Sequence, residues 1–469
     1  MAHNHSLAGF RVTIMGLGRS PDGSGIASAR FFARRGADVI VTDRSPAATL
    51  REAIARVRRE RVRIVIGQHR DRDFLNRDLI VQNPAVPHTS PFLSLARRHG
   101  IPIETDVSLF ASITNRPIIG ITGTRGKSTT AAWTSDMIRR TNRDTLLGGN
   151  IRVSPLAEPS RISGRGPAVL ELSSWMIESL QRHRFAPSVA VVTNLYPDHL
   201  DRYPSYQAYS RSKRTLVLYQ RPEHVVVLNR DQADVRAFAL HANAQVLWFS
   251  RKPLASGNGV YVDNEVIMIR QNARVRRVAP VRMLSLPGMH NVENAMAAVA
   301  VAIAWRVPLK DIRASLTRFR GLPYRLETVA VTRGIRYVND SSSTMPEAMI
   351  AALRSYAEPV VLIAGGNDKG LSYTSLQKEL KASSVRHVIL LPGSATPKIR
   401  RVVGRCRSIT VTYAPTVERA VSDATRRASR GWTVLFSPGA TSFASFANEF
   451  ERGDAFTAAV RRLTRRHDD

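Results

Sequence analysis

Short apolar runs, each closed by a polar turn and followed by a stretch whose apolar residues recur at helical spacing, are repeated from one end of the chain to the other. Residues 11–15, 37–43, 78–82, 118–121, 168–175, 189–193, 360–364, 388–391 and 434–436 read as strands, as does the run from Ile335 into its polar turn, with a strand-rich part around 225–229 and 260–269. Their alternation with helical patterns predicts an α/β fold with mostly parallel sheets. Breaks rich in Pro, Gly, Asn and Thr at Thr114-Asn115-Arg116-Pro117 and at Gly321-Leu322-Pro323-Tyr324-Arg325 divide the pattern into residues 1–114, 115–320 and 321–469. A length of 469 residues suits three domains of ordinary size.

Turns in all three segments carry chemistry. After the strand 118–121 comes Gly123-Thr124-Arg125-Gly126-Lys127-Ser128-Thr129-Thr130, and then alanines and Trp133 open a helix. Such a turn points backbone N–H groups and a helix N-terminus at phosphate, with Lys127 adding a full charge and Ser128 or Thr129 able to hold Mg²⁺. The usual P-loop spacing would place a glycine at position 121, where Ile121 stands, so the loop is a shortened one. In the first segment, strand, the turn Gly16-Leu17-Gly18-Arg19-Ser20-Pro21-Asp22-Gly23-Ser24-Gly25, helix and a second strand ending at Asp43 make a Rossmann-like unit, in which the turn accepts a diphosphate and the acid meets a ribose or base. An insertion around Pro21-Asp22 departs from G-x-G-x-x-G, which favours another nucleotide diphosphate over a nicotinamide dinucleotide. In the last segment, strands end in Asn339-Asp340-Ser341-Ser342-Ser343-Thr344, in Gly365-Gly366-Asn367-Asp368-Lys369 and in Ser437-Pro438-Gly439-Ala440-Thr441-Ser442. Hydroxyls and a lysine gathered at strand ends suit a small carboxylate ligand.

Other residues stand out by position. Glu171 ends an apolar strand, where a buried carboxylate needs a partner such as a metal ion beside a nucleotide. His199 follows a strand and lies between Asp198 and Asp201, and Lys213 sits in the helical pattern after it. Asn291 and Asn294 share one face at a helix start, able to cap the helix or to bond an adenine edge.

Composition narrows the class. The apolar run 295–305 is too short to span a bilayer and residues 1–10 lack the pattern of a secretory signal, so a cytoplasmic protein is expected. The lone Cys406 excludes an internal disulfide and a multi-cysteine zinc site. A net charge of +32 raises a nucleic-acid-stimulated ATPase as a competing class. The basic residues are spread along the whole chain with no nucleic-acid motif, which argues against a nucleic-acid partner. Of the 69 basic residues only eight are lysines, at 127, 213, 252, 310, 369, 378, 381 and 398. A primary amine can react or shift its pKa where a guanidinium cannot, so the retained lysines mark candidate sites.

With these residues in place the chain resembles the Mur ligase family, and within it the branch that adds glutamate. The resemblance runs through the whole chain in order: the Gly-rich turn of the first segment, GTRGKST at 123–129, LGGNI at 147–151, LELSSW at 170–175, TNLYPDHLDRY at 193–203, GMHNVEN at 288–294, GLPYRLE at 321–327, NDS at 339–341, GGNDKG at 365–370, SPGATSF at 437–443 and FERGDAF at 450–456. It implies a three-domain α/β protein, N-terminal Rossmann-like, central P-loop ATPase-like with a mostly parallel sheet, C-terminal Rossmann-like, monomeric and without a membrane partner. The implied reaction uses ATP and Mg²⁺ to phosphorylate the carboxylate of UDP-N-acetylmuramoyl-L-alanine. The amine of glutamate then attacks the acyl phosphate, in peptidoglycan precursor synthesis.

By the same resemblance Gly123, Thr124, Arg125, Gly126, Lys127, Ser128 and Thr129 bind ATP phosphates. Asn291 and Asn294 meet adenine, Arg325 the γ-phosphate and Asp340 the ribose. Ser128, Glu171, His199 and Lys213, the last as a carbamate, hold Mg²⁺. Gly18, Asp43, Arg44 and Asn150 face the nucleotide sugar, while Thr344, Lys369 and Ser442 face glutamate. The family commonly reads NDSKATN where this chain has Ser342 in place of the lysine and Met345 in place of the last asparagine, which leaves D- and L-glutamate both open. A folylpolyglutamate-type ligase is the other member considered, and the first-domain nucleotide turn argues against it.

Overall fold

The computed structural model describes residues 6–465 except 85, 152, 158, 200, 201, 369, 443–445 and 447. Three sheets account for its strands. The first holds β1 (Arg11–Met15), β2 (Asp38–Asp43), β3 (Val62–Ile66), β4 (Leu79–Gln82) and β5 (Ile103–Glu104) in the order β3-β2-β1-β4-β5, with every pairing parallel. The strand order reverses between β1 and β4, and the crevice outside the carboxyl ends of such neighbours is where doubly wound sheets take ligands.

The second sheet holds β6 (Ile118–Thr122), β7 (Leu146–Gly149), β8 (Ala168–Glu171), β9 (Val189–Val192), β10 (Val225–Asn229), β11 (Gln245–Ser250), β12 (Asn258–Asp263), β13 (Val266–Gln271) and β14 (Arg274–Pro280). Its order is β14-β13-β12-β11-β10-β9-β6-β8-β7, parallel from β7 across to β12, with β13 and β14 added as an antiparallel meander. β6, IIGIT, is buried at every position and lies between β8 and β9, so its polar turn emerges at the centre of the sheet.

The third sheet holds β15 (Glu327–Thr332), β16 (Ile335–Asn339), β17 (Val360–Ala364), β18 (Val385–Leu390), β19 (Thr410–Tyr413) and β20 (Thr433–Phe436) in the order β15-β16-β20-β17-β18-β19. Only the β15–β16 pair is antiparallel. The α/β reading and the mostly parallel pairing are therefore met, while β3, β5, β7, β11, β14, β15 and β19 carry no run that marked them in the sequence, and the apolar run from Ala168 ends as a strand at Glu171 and continues as the helix Ser174–Gln181.

The chain divides into two compact units, one of residues 1–283 with 293–317 and the other of residues 284–292 with 318–469. The first two sheets share the first unit through one continuous apolar cluster that includes Val12 and Ile14 on β1 as well as Ala168 and Leu170 on β8. Polar ties reinforce it. The helix Asp106–Ile113 starts with a Thr105–Ser108 capping box, and Thr105 Oγ1 also lies 3.0 Å from Ser179 Oγ on the helix Ser174–Gln181. Arg182 donates to the Ile103 carbonyl at 2.6 Å, and the Ser154 amide donates to the Asp22 carbonyl at 2.7 Å. Among the described residues no helix is long and apolar enough to cross a membrane.

Candidate active site

The turn after β6 is held from outside by the end of β9. Asn194 takes the Arg125 amide on Oδ1 at 2.8 Å and donates from Nδ2 to the Arg125 carbonyl at 3.1 Å, while Thr193 Oγ1 donates to that same carbonyl at 2.7 Å. Gly126 stands at φ 79° immediately before the helix Lys127–Arg139, and a Cβ there would collide with Asn294 Oδ1. Only glycine meets both demands. Thr130 Oγ1 donates to the same Asn294 oxygen at 3.3 Å. Asn294, read from the sequence as a cap or an adenine contact, is thus part of the wall behind the loop. Lys127 Nζ donates to the Thr124 carbonyl at 2.8 Å, curled over the loop it belongs to.

Beside this loop lie a carboxylate and a lysine, both nearly removed from water. Glu171, at the end of β8, is 2% exposed; its Oε1 accepts from Asn150 Nδ2 at 3.1 Å, and its Oε2 has no hydrogen-bond partner. Buried carboxylate oxygens are costly to leave unpaired, so this one fits a cation. Lys213, on the helix Tyr206–Leu218, is also 2% exposed; its Nζ donates to Thr122 Oγ1 at 3.3 Å and lies 4.8 Å from the centroid of the Tyr209 ring. Burial, with the charge of Lys127 added, holds its amine well below the usual lysine range despite the opposing pull of Asp198 and Glu171. An amine in that state is a nucleophile toward CO₂, which a carbamate requires.

His199 reaches the same neighbourhood from the loop after β9. It adopts φ 53°, and its ring meets Trp175 edge-on at 5.0 Å and Tyr209 at 6.0 Å. Among the described residues no three His, Cys, Asp or Glu side chains converge. The combination of Ser128, Glu171, His199 and a modified lysine has only two such residues. Gly123 to Thr129 and Asn294 form one wall, with Glu171, Asn150 and Lys213 brought in from separate strands and helices.

At the carboxyl end of the first sheet a cleft of about 490 Å³ is lined by Gly16, Gly18, Asp43, Arg44 and His69, among others. The structure adds a second task for Asp43: its Oδ2 accepts from the Leu17 and Gly18 amides at 2.9 and 3.4 Å, and its Oδ1 from the Ser45 amide at 2.8 Å. The acid therefore orders the Gly-rich turn as well as facing the cleft. His69 escaped the sequence reading. It bonds Thr42 Oγ1 at 2.8 Å, stacks edge-on against Phe74 and Phe92, and is held below the usual histidine range first by burial. Its stretch, Gln68-His69-Arg70-Asp71, is polar and carries no motif that could have found it.

In the second unit Asp340 is 7% exposed, with Ser437 Oγ donating to its Oδ2 at 2.7 Å and the Leu326 amide to its Oδ1 at 3.2 Å. Burial outweighs these hydrogen bonds and the charges of Arg325 and Arg452, and raises its carboxyl to about 7. Arg325 is exposed, on a turn between Tyr324 (φ 63°) and Leu326 (φ 46°). Asn291, in the other unit from Asn294, donates from Nδ2 to the Pro287 carbonyl at 2.7 Å. The turns after β16 and β20 are joined by the Gly439 amide donating to the Ser343 carbonyl at 2.9 Å. Thr344 is half-buried in the first of these turns, and Ser442 is buried in the second with an unpartnered Oγ. Lys369 lies outside the described residues; its neighbour Asp368 accepts from Lys398, another of the eight lysines.

Arg452, also missed, is 2% exposed and donates to the Ser341 and Ala440 carbonyls at 2.9 and 3.0 Å, so one guanidinium ties both turns. Burial lowers it to about 10. In the sequence it stands within Phe450-Glu451-Arg452-Gly453-Asp454-Ala455-Phe456, but its tie between two distant turns appears only in the fold.

Family models match the chain in three consecutive stretches: "Mur ligase MurD-like, N-terminal domain" at residues 10–105, "Mur ligase middle domain" at 121–302 and "Mur ligase, glutamate ligase domain" at 324–439. A UDP-N-acetylmuramoylalanine–D-glutamate ligase of Roseiflexus sp. (strain RS-1) is 40% identical over 467 residues, covering 98% of this chain and 100% of the relative. The enzyme of the same name from Koribacter versatilis is 36% identical over 457 residues, 97% of this chain and 98% of its own. Among solved structures, UDP-N-acetylmuramate-alanine ligase MurC from Thermotoga maritima superposes with a TM-score of 0.63 at 18% identity, over 97% of this chain and 99% of that one. MurF ligase from Thermotoga maritima in complex with ADP superposes at 0.57 with 16% identity, over 91% and 96%. At these identities the two structures speak to the fold alone.

Proposed function

The chain belongs to the Mur ligase family, and from that premise we infer that it is an ATP-dependent ligase joining D-glutamate to UDP-N-acetylmuramoyl-L-alanine in peptidoglycan precursor synthesis. The observation that carries the reading is the pairing, beside the glycine-rich loop, of the buried Glu171 with one unpartnered oxygen and the buried Lys213, whose amine burial holds well below the usual lysine range. A loop that binds phosphate for structural reasons alone needs neither.

In this reading the loop amides and Lys127 hold the β- and γ-phosphates and oppose the charge that builds as the γ-phosphoryl leaves ADP. Ser128, Glu171, His199 and Lys213 as its carbamate would hold Mg²⁺, which when bound neutralises phosphate charge during transfer. Glu171 is pinned through Oε1 by Asn150, which leaves Oε2 as the oxygen available to a cation. The acceptor carboxylate takes the phosphoryl group to become an acyl phosphate. The glutamate amine adds to that carbonyl, and the tetrahedral adduct expels inorganic phosphate. Asp43 and Arg44 with Gly18 face the uridine end of the acceptor, Asn150 its sugar side. Asn291 and Asn294 serve adenine, Arg325 the γ-phosphate and Asp340 the ribose. Thr344, Lys369 and Ser442 serve the incoming amino acid. The same reading has the domains divided at 114/115 and 320/321, and the protein monomeric in the cytoplasm.

Purified protein is expected to release phosphate from ATP only when UDP-N-acetylmuramoyl-L-alanine and glutamate are both present. Turnover without the nucleotide sugar would sink the reading. Running D- and L-glutamate side by side decides the question that Ser342, in place of the family lysine, leaves in the amino-acid pocket. DNA or RNA added to the same assay should leave the rate unchanged.

A further inference from the structure

We propose that Glu178 is a positioning residue that couples occupancy of the first-domain cleft to the placement of His199 and Lys213; the proposal rests on the ligase reading above. Glu178 lies on the helix Ser174–Gln181, and its carboxylate is the meeting point of three segments distant in sequence. Oε1 accepts from Tyr203 Oη at 2.6 Å and from Ser212 Oγ at 3.1 Å. Oε2 accepts from Arg202 Nη2 at 3.4 Å and faces His88 Nε2 at 3.6 Å.

Each partner adjoins a functional segment. The Arg202 and Tyr203 amides both close on the His199 carbonyl, at 3.0 and 2.9 Å. They hold His199 at φ 53°, a left-handed conformation that is unfavourable for a non-glycine residue and lasts only where its surroundings over-determine it. Arg202 also lies 5.1 Å above the Trp175 ring that His199 meets edge-on. Ser212 immediately precedes Lys213, and its hydroxyl also reaches the Ser174 carbonyl at 3.2 Å. His88 sits between Pro87 and Thr89, both of which line the nucleotide cleft.

Three of the four contacts are hydrogen bonds and the fourth is not. At 3.6 Å the His88 contact is just outside bonding range, so a shift of well under 1 Å in the cleft segment makes or loses it. A carboxylate can accept about four hydrogen bonds, which leaves Glu178 room to close on His88 without giving up Tyr203 or Ser212. A ligand that draws the 86–92 segment inward therefore tightens the histidine loop and the lysine helix together.

The test is hydrogen exchange on the full-length protein with and without UDP-N-acetylmuramoyl-L-alanine, ATP omitted, joined to steady-state phosphate release. In the wild type the nucleotide sugar is expected to slow exchange both at residues 86–92 and at 202–213. Glu178→Ala should keep the first protection and lose the second, with kcat lowered by at least about tenfold and KM for the nucleotide sugar changed less than about threefold. Glu178→Gln, which keeps an acceptor for Tyr203 and Ser212, should recover most of kcat. His88→Ala cuts the link from the cleft side and should abolish the ligand-induced protection at 202–213 without altering exchange there in the free protein. It carries the test if the Glu178→Ala protein does not fold. Protection at 202–213 persisting in Glu178→Ala or His88→Ala, or kcat of Glu178→Ala within twofold of wild type, overturns the proposal. Wild-type protection at 86–92 with none at 202–213 refutes the coupling alone. No protection at 86–92 refutes the ligase reading, and the coupling falls with it.

Discussion

Two turns in this chain share one plan, strand then glycines then helix, and differ in what fills them. In the first, between β1 and the helix Ser24–Ala33, the carboxylate of Asp43 occupies the Leu17 and Gly18 amides, so a side chain of the protein orders the backbone that faces the first-sheet cleft. In the second, between β6 and the helix Lys127–Arg139, the loop is held from behind by Thr193, Asn194 and Asn294 and carries the Lys127 amine on its near side. An acid at a turn disfavours a phosphate in direct contact with those amides and favours a neutral donor such as a base or ribose. A lysine at a turn does the opposite. The glycine pattern alone reports only that backbone must come close to a ligand; the charge beside it reports which part of the ligand.

The largest difference between the turns should appear in turnover. Lys127→Ala is expected to lower kcat for phosphate release by about a thousandfold, the scale for removing a charge aimed at a transferring phosphoryl group. Asp43→Ala should leave kcat nearly intact and raise KM for the nucleotide sugar by about tenfold. If Asp43→Ala costs as much kcat as Lys127→Ala, the two turns do not divide the work as described.

Next in size is the lysine beneath the second turn, which has no counterpart under the first. Lys213→Ala should lose about a hundredfold in kcat and regain part of it with added formate or acetate, while Lys213→Arg stays inactive because a guanidinium forms no carbamate. An active arginine variant would remove the carbamate.

A smaller contrast lies in the glycines. Gly126→Ala forces a left-handed backbone on a residue with a Cβ, about 1–2 kcal/mol, and drives that Cβ into Asn294. Gly18→Ala, at φ 71°, meets nothing nearer than the Asn83 amide nitrogen at 3.3 Å. Calorimetric titration should find ATP binding weakened by the first and the nucleotide sugar only slightly by the second, and thermal unfolding should rank them in the same order. Equal effects would mean that Asn294 yields.

The smallest effect concerns pH in the first cleft. His69 is depressed by burial, so the folded state binds fewer protons than the unfolded one below about pH 6.5. Its contribution is present above that pH and lost as pH falls, and His69→Gln should flatten the decline in melting temperature on the acid side. A decline unchanged by the substitution assigns it to other groups.

The fold class, many of the parallel strands, the Gly-rich turn at 123–130 and the candidacy of Glu171 and Lys213 were legible in the chain. Strand cores and helix starts are written locally, in runs and spacings that one segment suffices to express. Even the scarcity of lysine was readable, and three of the eight fall in the proposed site. What could not be read were the partners that side chains meet far away in sequence: Asn194 behind the loop, His69 against Phe92, Arg452 between the turns of Ser341 and Ala440, and Glu178 between His88, Tyr203 and Ser212. Asn194 and Arg452 stand within motifs without any sign of what they hold, and His69 and Glu178 carry no sign of the partners they meet. Local pattern is set by each residue's own backbone and its near neighbours, so sequence by itself determined the elements and the type of chemistry. Burial, the unpaired oxygen of Glu171 and the depressed amine of Lys213 exist only once distant strands exclude water around them, so the electrostatic state of the site was decided by the tertiary structure.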